Sequence, residues 1–112
     1  MKTILDTDFL INVIKYKINI DEIKNPTIID KTINELESKN TPNARAAIKL
    51  IEIRKFKLIK TKKDKIVDDL ILEEVKEEDF VATQDKKLKK RLKEKQIKVI
   101  TIRQKKYINK NL

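Results

Sequence analysis

The sequence predicts an α/β protein built on a mainly parallel sheet of about five strands, and three observations carry that expectation. Short runs of Ile, Val and Phe alternate with longer stretches whose apolar residues recur at helical spacing, the pattern of successive βαβ units. Hydrophobic residues make up 39% of the 112 positions and are mostly Ile, Leu and Val, which suits strands buried on both faces. Acidic residues stand near the ends of several runs, at Asp6 and Asp8, Asp68 and Asp69, and Asp85. In open α/β sheets that is where ligands and catalytic groups collect. The length predicts a single domain over residues 1–112, undivided by any repeat or low-complexity linker.

The elements follow in order. Lys2 to Leu5 reads as the first strand, with Thr7 or Asp8 capping a helix that carries Phe9, Leu10, Val13 and Ile14 on one side. Residues 18–25 have room for one short turn. Pro26 restarts the chain and Thr27 to Ile29 is a second, β-branched strand. Asp30 is placed to cap a helix over Lys31 to Ser38, with Ile33 and Leu36 inward. Pro42 opens a helix bearing Ala44, Ala47, Ile48 and Ile51, and Phe56 to Ile59 is the third strand. Thr61 and Asp64 have capping-box spacing before a helix with Ile66, Val67, Leu70, Ile71 and Val75. Phe80 to Ala82 is a fourth strand, Lys86 to Lys95 a basic helix burying Leu88 and Leu92, and Val99 to Ile102 a fifth strand. Arg103 to Leu112 remains as a basic tail, ordered in part by Tyr107 and Ile108.

Composition narrows the chemistry. There is no cysteine and no histidine, so disulfides, thiolate sites and the commonest general base are excluded. Glycine is absent too, which rules out a Walker P-loop and a Gly-rich dinucleotide fingerprint. Hard oxygen ligands are left, and these select Mg²⁺ or Mn²⁺. The opening Met-Lys-Thr-Ile-Leu-Asp meets a carboxylate too early for a signal peptide, and no apolar run approaches membrane-spanning length. A cytoplasmic protein with no membrane partner is expected.

The net charge of +10 is unevenly placed. Residues 1–84 balance sixteen Lys and Arg with sixteen Asp and Glu, whereas residues 85–112 set twelve cations against Asp85 and Glu94. Such asymmetry points to a polyanion. With Leu88 and Leu92 buried, Lys86, Lys87, Lys89, Lys90, Arg91 and Lys93 cover the rest of the basic helix, and Arg103 continues the charge. These residues would contact phosphates, which supply affinity but little sequence specificity. Tyr107 is placed to stack on an unpaired base. The plain alternative is a solubilising charged face.

Taken one at a time, Asp8, Asp30, Asp64 and Asp85 read as helix caps and Glu35 as a solvated helix residue. Taken together, carboxylates at the ends of separate strands can reach a common point. Their mutual repulsion would raise one another's pKa unless a divalent ion removed the cost, and such an ion polarises a phosphodiester and activates water.

Four stretches resemble the successive motifs of a PIN domain: Leu5-Asp6-Thr7-Asp8-Phe9-Leu10, Asn34-Glu35-Leu36-Glu37, Val67-Asp68-Asp69-Leu70, and Val81-Ala82-Thr83-Gln84-Asp85 with the basic helix through Leu92. The likeness spans essentially the whole chain, including Ile100 to Tyr107, and is to small archaeal PIN proteins related to the small-subunit rRNA-processing nuclease and to VapC toxins. The last motif is the most specific. The resemblance implies a three-layer α/β/α fold and a metal-dependent ribonuclease in which Asp6, Glu35, Asp69 and Asp85 hold Mg²⁺ or Mn²⁺. Successive helix residues diverge by roughly 100°, so one of Asp68 and Asp69 faces the site squarely. The resemblance favours Asp69, with Asp68 as a supporting or capping group. Glu37 rivals Glu35, Asp8 stands where many relatives have Asn, and Thr83 is placed to bond a phosphate or a metal-bound water. The chain departs from the pattern in having no glycine at its turns and a short passage, residues 18–26, before the second strand.

The expected activity is endoribonuclease cleavage by metal-activated water, without a covalent intermediate, as an rRNA-processing nuclease or a VapC-type toxin. The alternative is a non-catalytic RNA-binding or ribosome-associated scaffold with the same fold. Expected partners are RNA, an antitoxin or ribosomal assembly factors, and by resemblance alone a second copy in a homodimer.

Overall fold

The structure, a computed structural model, describes residues 1–62 and 64–111. Six strands, β1 (Thr3–Leu5), β2 (Pro26–Ile29), β3 (Lys57–Ile59), β4 (Phe80–Ala82), β5 (Lys98–Arg103) and β6 (Tyr107–Asn111), form one sheet in the order β3-β2-β1-β4-β5-β6. The first five are parallel. β6 turns back antiparallel on β5, pairing Arg103 with Tyr107 and Ile102 with Ile108. Within the stretch expected to be a partly ordered tail, Tyr107–Asn111 is therefore a sixth strand, and Leu112 lies outside the described residues. Tyr107 and Ile108 marked it, and Ile108 is buried.

The helices are α1 (Thr7–Lys15), α2 (Asp30–Lys39), α3 (Pro42–Arg54), α4 (Val67–Glu74) and α5 (Lys86–Glu94). The period-two geometry of the strands sorts neighbouring residues onto opposite faces of the sheet. Leu5, Ile28, Ala82 and Ile100 join Phe9, Leu10, Leu36, Ala44 and Ala47 in a core under α1, α2 and α3. Ile4, Ile29, Val81 and Val99 join Val67, Leu70, Ile71, Leu88 and Leu92 in a second core under α4 and α5. The result is the three-layer α/β/α arrangement. Ile18, Ile20 and Ile23, in the turns before β2, are also buried in the first core, so that short passage is packed.

Local chemistry sets the helix starts, in three places differently from expectation. Asp6, rather than Thr7 or Asp8, caps α1; its carboxylate accepts from Thr7 N, and Asp8 is exposed in the first turn. Asp30 lies inside α2 as its first residue. Its carboxylate accepts from Lys31 N at 2.9 Å, Thr61 N at 3.0 Å and Thr61 Oγ1 at 2.8 Å, bonds that outweigh the effect of burial and hold its pKa below the usual range. Thr61 is thereby withdrawn from any capping box. α4 starts at Val67 with Ile66 as its cap residue, while Asp64 is exposed and pairs with Lys31 at 3.6 Å. Thr41 caps α3 as the Pro42 signal implied, accepting from Ala44 N at 3.1 Å.

The chain has no glycine, and among the described residues Lys17, Asn25, Asn40, Lys55, Gln96, Gln104 and Lys105 take positive φ. Lys55 closes α3 in this way. Gln104 and Lys105 together give the two left-handed positions that a type I′ turn between β5 and β6 requires. At the opposite end of the sheet from the acids, buried Asp79 ties β1 to β4. It accepts from Lys2 Nζ at 2.6 Å, Lys2 N at 3.0 Å and Lys76 N at 2.9 Å. Among the described residues no helix is long and apolar enough to cross a membrane.

Candidate active site at the carboxyl ends of the strands

β1 lies between β2 and β4, so three parallel strands end side by side and their following helices begin there. Asp6 follows β1 directly, and its N–H continues the β1–β4 ladder to Ala82 O at 2.9 Å. Only 5% of Asp6 is exposed. Its Oδ1 accepts from Thr7 N at 2.8 Å and its Oδ2 from Thr83 Oγ1 at 2.8 Å. Burial pushes its pKa up to about 6, opposed by the bonds from Thr83 and Thr7 and reinforced by the charges of Asp68 and Asp8.

Thr83 is fully buried, and its hydroxyl also accepts from Asp85 N at 3.1 Å. Its proton is given to Asp6, so in this arrangement it is not free to donate to a phosphate. Asp85 caps α5, Oδ1 accepting from Leu88 N at 2.9 Å. One function does not displace the other here, because a capping carboxylate keeps further lone pairs. Glu35 is brought in from α2 by Thr7, whose hydroxyl donates to Glu35 Oε1. Glu37 lies about 200° further round that helix; both glutamates are exposed, and the bond from Thr7 is what distinguishes Glu35.

Asp68 and Asp69, of which the resemblance favours Asp69 as the ligand, stand in different surroundings. Burial raises the pKa of Asp68 first, then the charges of Asp85, Glu35 and Asp69, against the opposing Arg91. Asp69 points to α5, where its Oδ1 meets Arg91 Nη1 at 3.2 Å. The sequence could not set this phase, because Val67, Leu70, Ile71 and Leu72 are all buried and give α4 no narrow apolar stripe.

Asp6, Glu35, Asp68 and Asp85 thus come from four separate segments, with Asp68 the member whose charge interacts with each of the other three. Among the described residues, no three His, Cys, Asp or Glu side chains form a group set to hold a metal ion. The donor chemistry nevertheless suits a hard dication: every group is a carboxylate oxygen, one is buried, and their shared repulsion is a cost that a cation removes.

The cationic segment starts at the same place. Leu88 and Leu92 are the buried residues of α5, leaving Lys86, Lys87, Lys90, Arg91 and Lys93 exposed. Lys89 is half-buried; burial lowers its pKa first, then Arg103 and Lys86, against Asp85. Those cations therefore share the neighbourhood of Asp85. Arg91 is drawn to Asp69 and Asp68. Tyr107 is 49% exposed on β6, beside Arg103. Two residues escaped the sequence reading: Thr7, which positions Glu35, and Gln84. The Gln84 amide imitates a neighbouring strand, accepting from Ile102 N at 2.7 Å and donating to Ile102 O at 3.2 Å. Neither had a sequence signal beyond standing next to an acid.

A parallel sheet with acids at the ends of its central strands is the frame of the PIN-like domain family, whose profile matches residues 4–105, and the chain belongs to that family. It is 36% identical over 123 residues to Ribonuclease VapC4 of Methanocaldococcus jannaschii, an alignment covering 95% of this chain and 93% of that protein. Its fold is similar to the PIN domain endonuclease Utp24, with a TM-score of 0.81 and 25% identity over 99% of this chain and 92% of the other.

Proposed function

We propose that the protein is a divalent-metal-dependent endoribonuclease, with Asp6, Glu35, Asp68 and Asp85 as the acids that would hold Mg²⁺ or Mn²⁺. The observation that carries this reading is the buried Asp6 at the end of β1, bonded to Thr7 and Thr83, with Glu35 tied to Thr7 and Asp85 opening a cationic helix. Similarity to a protein named as a ribonuclease and to another named as an endonuclease supports it. Asp69 serves instead to hold Arg91 between α4 and α5.

When bound, the dication lowers the pKa of water and offsets the charge that develops on the phosphoryl oxygens. The chain's own residues prepare for this. Thr7 N and Thr83 Oγ1 fix both oxygens of Asp6, and Thr7 Oγ1 holds Glu35. Lys86, Lys89 and Arg103 draw the RNA backbone toward Asp85, a contribution that weakens with salt. Partners on this reading are RNA and, for a toxin-type member, a protein antitoxin.

The test is cleavage of RNA with Mg²⁺, Mn²⁺ or EDTA. Metal-dependent cleavage lost in Asp6→Asn, with RNA binding retained, supports the proposal. Binding without cleavage under any metal would favour the scaffold.

A further inference from the structure

We propose that the groove between α2 and the segment leading into α4 is a subsite for one nucleotide of a single-stranded RNA lying across the acids. This rests on the nuclease reading above and extends it to residues outside the basic segment. The groove encloses about 450 Å³, within the range of small-ligand sites. It opens from the acidic cluster itself, since Glu35 belongs to both.

One wall is a continuous stripe of α2. Lys31, Asn34 and Lys39 stand on it with Glu35, at the three- and four-residue spacings that share a helix face. The other wall carries Lys65 and Ile66. Ile66 is 64% exposed, although Val67 beside it is buried. A large aliphatic side chain held in water on the wall of a groove that three lysines line with Glu35 and Asp64 is matched by a base, whose face packs on apolar side chains as well as on aromatic ones. Asn34 offers an amide that both donates and accepts, as base edges do. Lys31 and Lys65 are engaged by exposed Asp64 and Glu73, at 3.6 Å and 3.1 Å. Exposed pairs of this kind are weak, so a phosphate replaces the carboxylates at little cost.

The topology gives the strand its path. α2 follows β2 and α5 follows β4, on opposite sides of β1. RNA that runs from the start of α5 along the carboxyl ends of β4, β1 and β2 passes the acids before it reaches this groove, with the scissile phosphate between the two anchors.

The experiment uses the full chain, Mn²⁺ and oligonucleotides cut at one position, lengthened a nucleotide at a time on either side. The expected wild-type result is a gain of about tenfold in kcat/KM when one or two nucleotides are added on one side only. Ile66→Ala and Lys39→Glu, both at exposed positions, should each bring the long-to-short ratio close to one. Asn34→Ala should reduce that ratio most for one base identity. Variants that slow long and short substrates equally, or a wild type without one-sided length dependence, would overturn the subsite while leaving the nuclease reading intact. No cleavage by the wild type would overturn both.

Discussion

Thr83 gives its hydroxyl proton to Asp6 across 77 residues of sequence, at 2.8 Å. The bond joins the end of β4 to the end of β1 and partly offsets the burial that makes Asp6 a weak acid. Thr83 thus keeps the buried carboxyl ionisable without exposing it.

Asp6 should make the metal-free protein less stable as the pH rises. A carboxyl that holds its proton more tightly folded than unfolded contributes most below its unfolded value of 3.8, and that contribution is lost as the pH climbs through about 6. The difference amounts to about 3 kcal/mol. Asp6→Asn should therefore raise the melting temperature by several degrees near neutral pH in EDTA and change it little in strong acid. A melting curve with the same gain at every pH would contradict the assignment.

The two neighbouring acids of α4 should separate cleanly in activity. Asp68→Asn is expected to lower metal-dependent cleavage by at least about 100-fold, the usual scale for removing one electrostatic group from an active site. Asp69→Asn releases Arg91 and should cost less than about tenfold. Single-turnover cleavage with saturating enzyme reads both, and the reverse order would return the site to the partition expected from sequence.

Asp79 should be the costliest acid to remove for stability. It is 1% exposed and receives three bonds, from Lys2 Nζ, Lys2 N and Lys76 N. Burial alone would raise its pKa, but these donors outweigh it and hold the carboxyl below its usual range. Its stabilisation is present above the unfolded carboxylate pKa and is lost as the pH falls through the folded one. Asp79→Ala should cost about 3–5 kcal/mol in urea denaturation at neutral pH.

Left-handed positions without glycine are places to gain stability. Lys55 ends α3 at φ 53° and ψ 50°, and is exposed. Lys55→Gly removes the strain on Cβ but adds entropy to the unfolded chain, for a net gain of about 0.5–1 kcal/mol. Chemical denaturation should show a higher midpoint with an unchanged slope.

Much of this architecture was legible because strand and helix periods alternate clearly: Ile28-Ile29 and Val81-Ala82 each divide between two cores, as doubly covered strands must. β6 was not, since most of Tyr107–Asn111 is polar and its pairing is with backbone. The start of α4 was misplaced because Thr61, a good cap in isolation, finds a better partner in Asp30, 31 positions earlier. At the candidate site the sequence offered carboxylates without their direction. Asp68 and Asp69 differ only in helix phase, and the salt bridge that distinguishes them depends on where α5 lies.

The position of β1 in the sheet also has a consequence for the chain as it is made. β1 comes before every other strand of the sheet in the chain, yet it is flanked by β2 and by β4, and the clasps that close it, Lys2 with Asp79 and Thr83 with Asp6, each span 77 residues. A nascent chain ending before Phe80 has β1 open along one edge and Asp6 without Thr83. Closure is a late, long-range event of the kind that slows folding and leaves strand edges exposed to wrong partners. The pair β1 and β2 is thus a waiting template, and Asp6 gains its Thr83 partner only once β4 and the residue after it have been made.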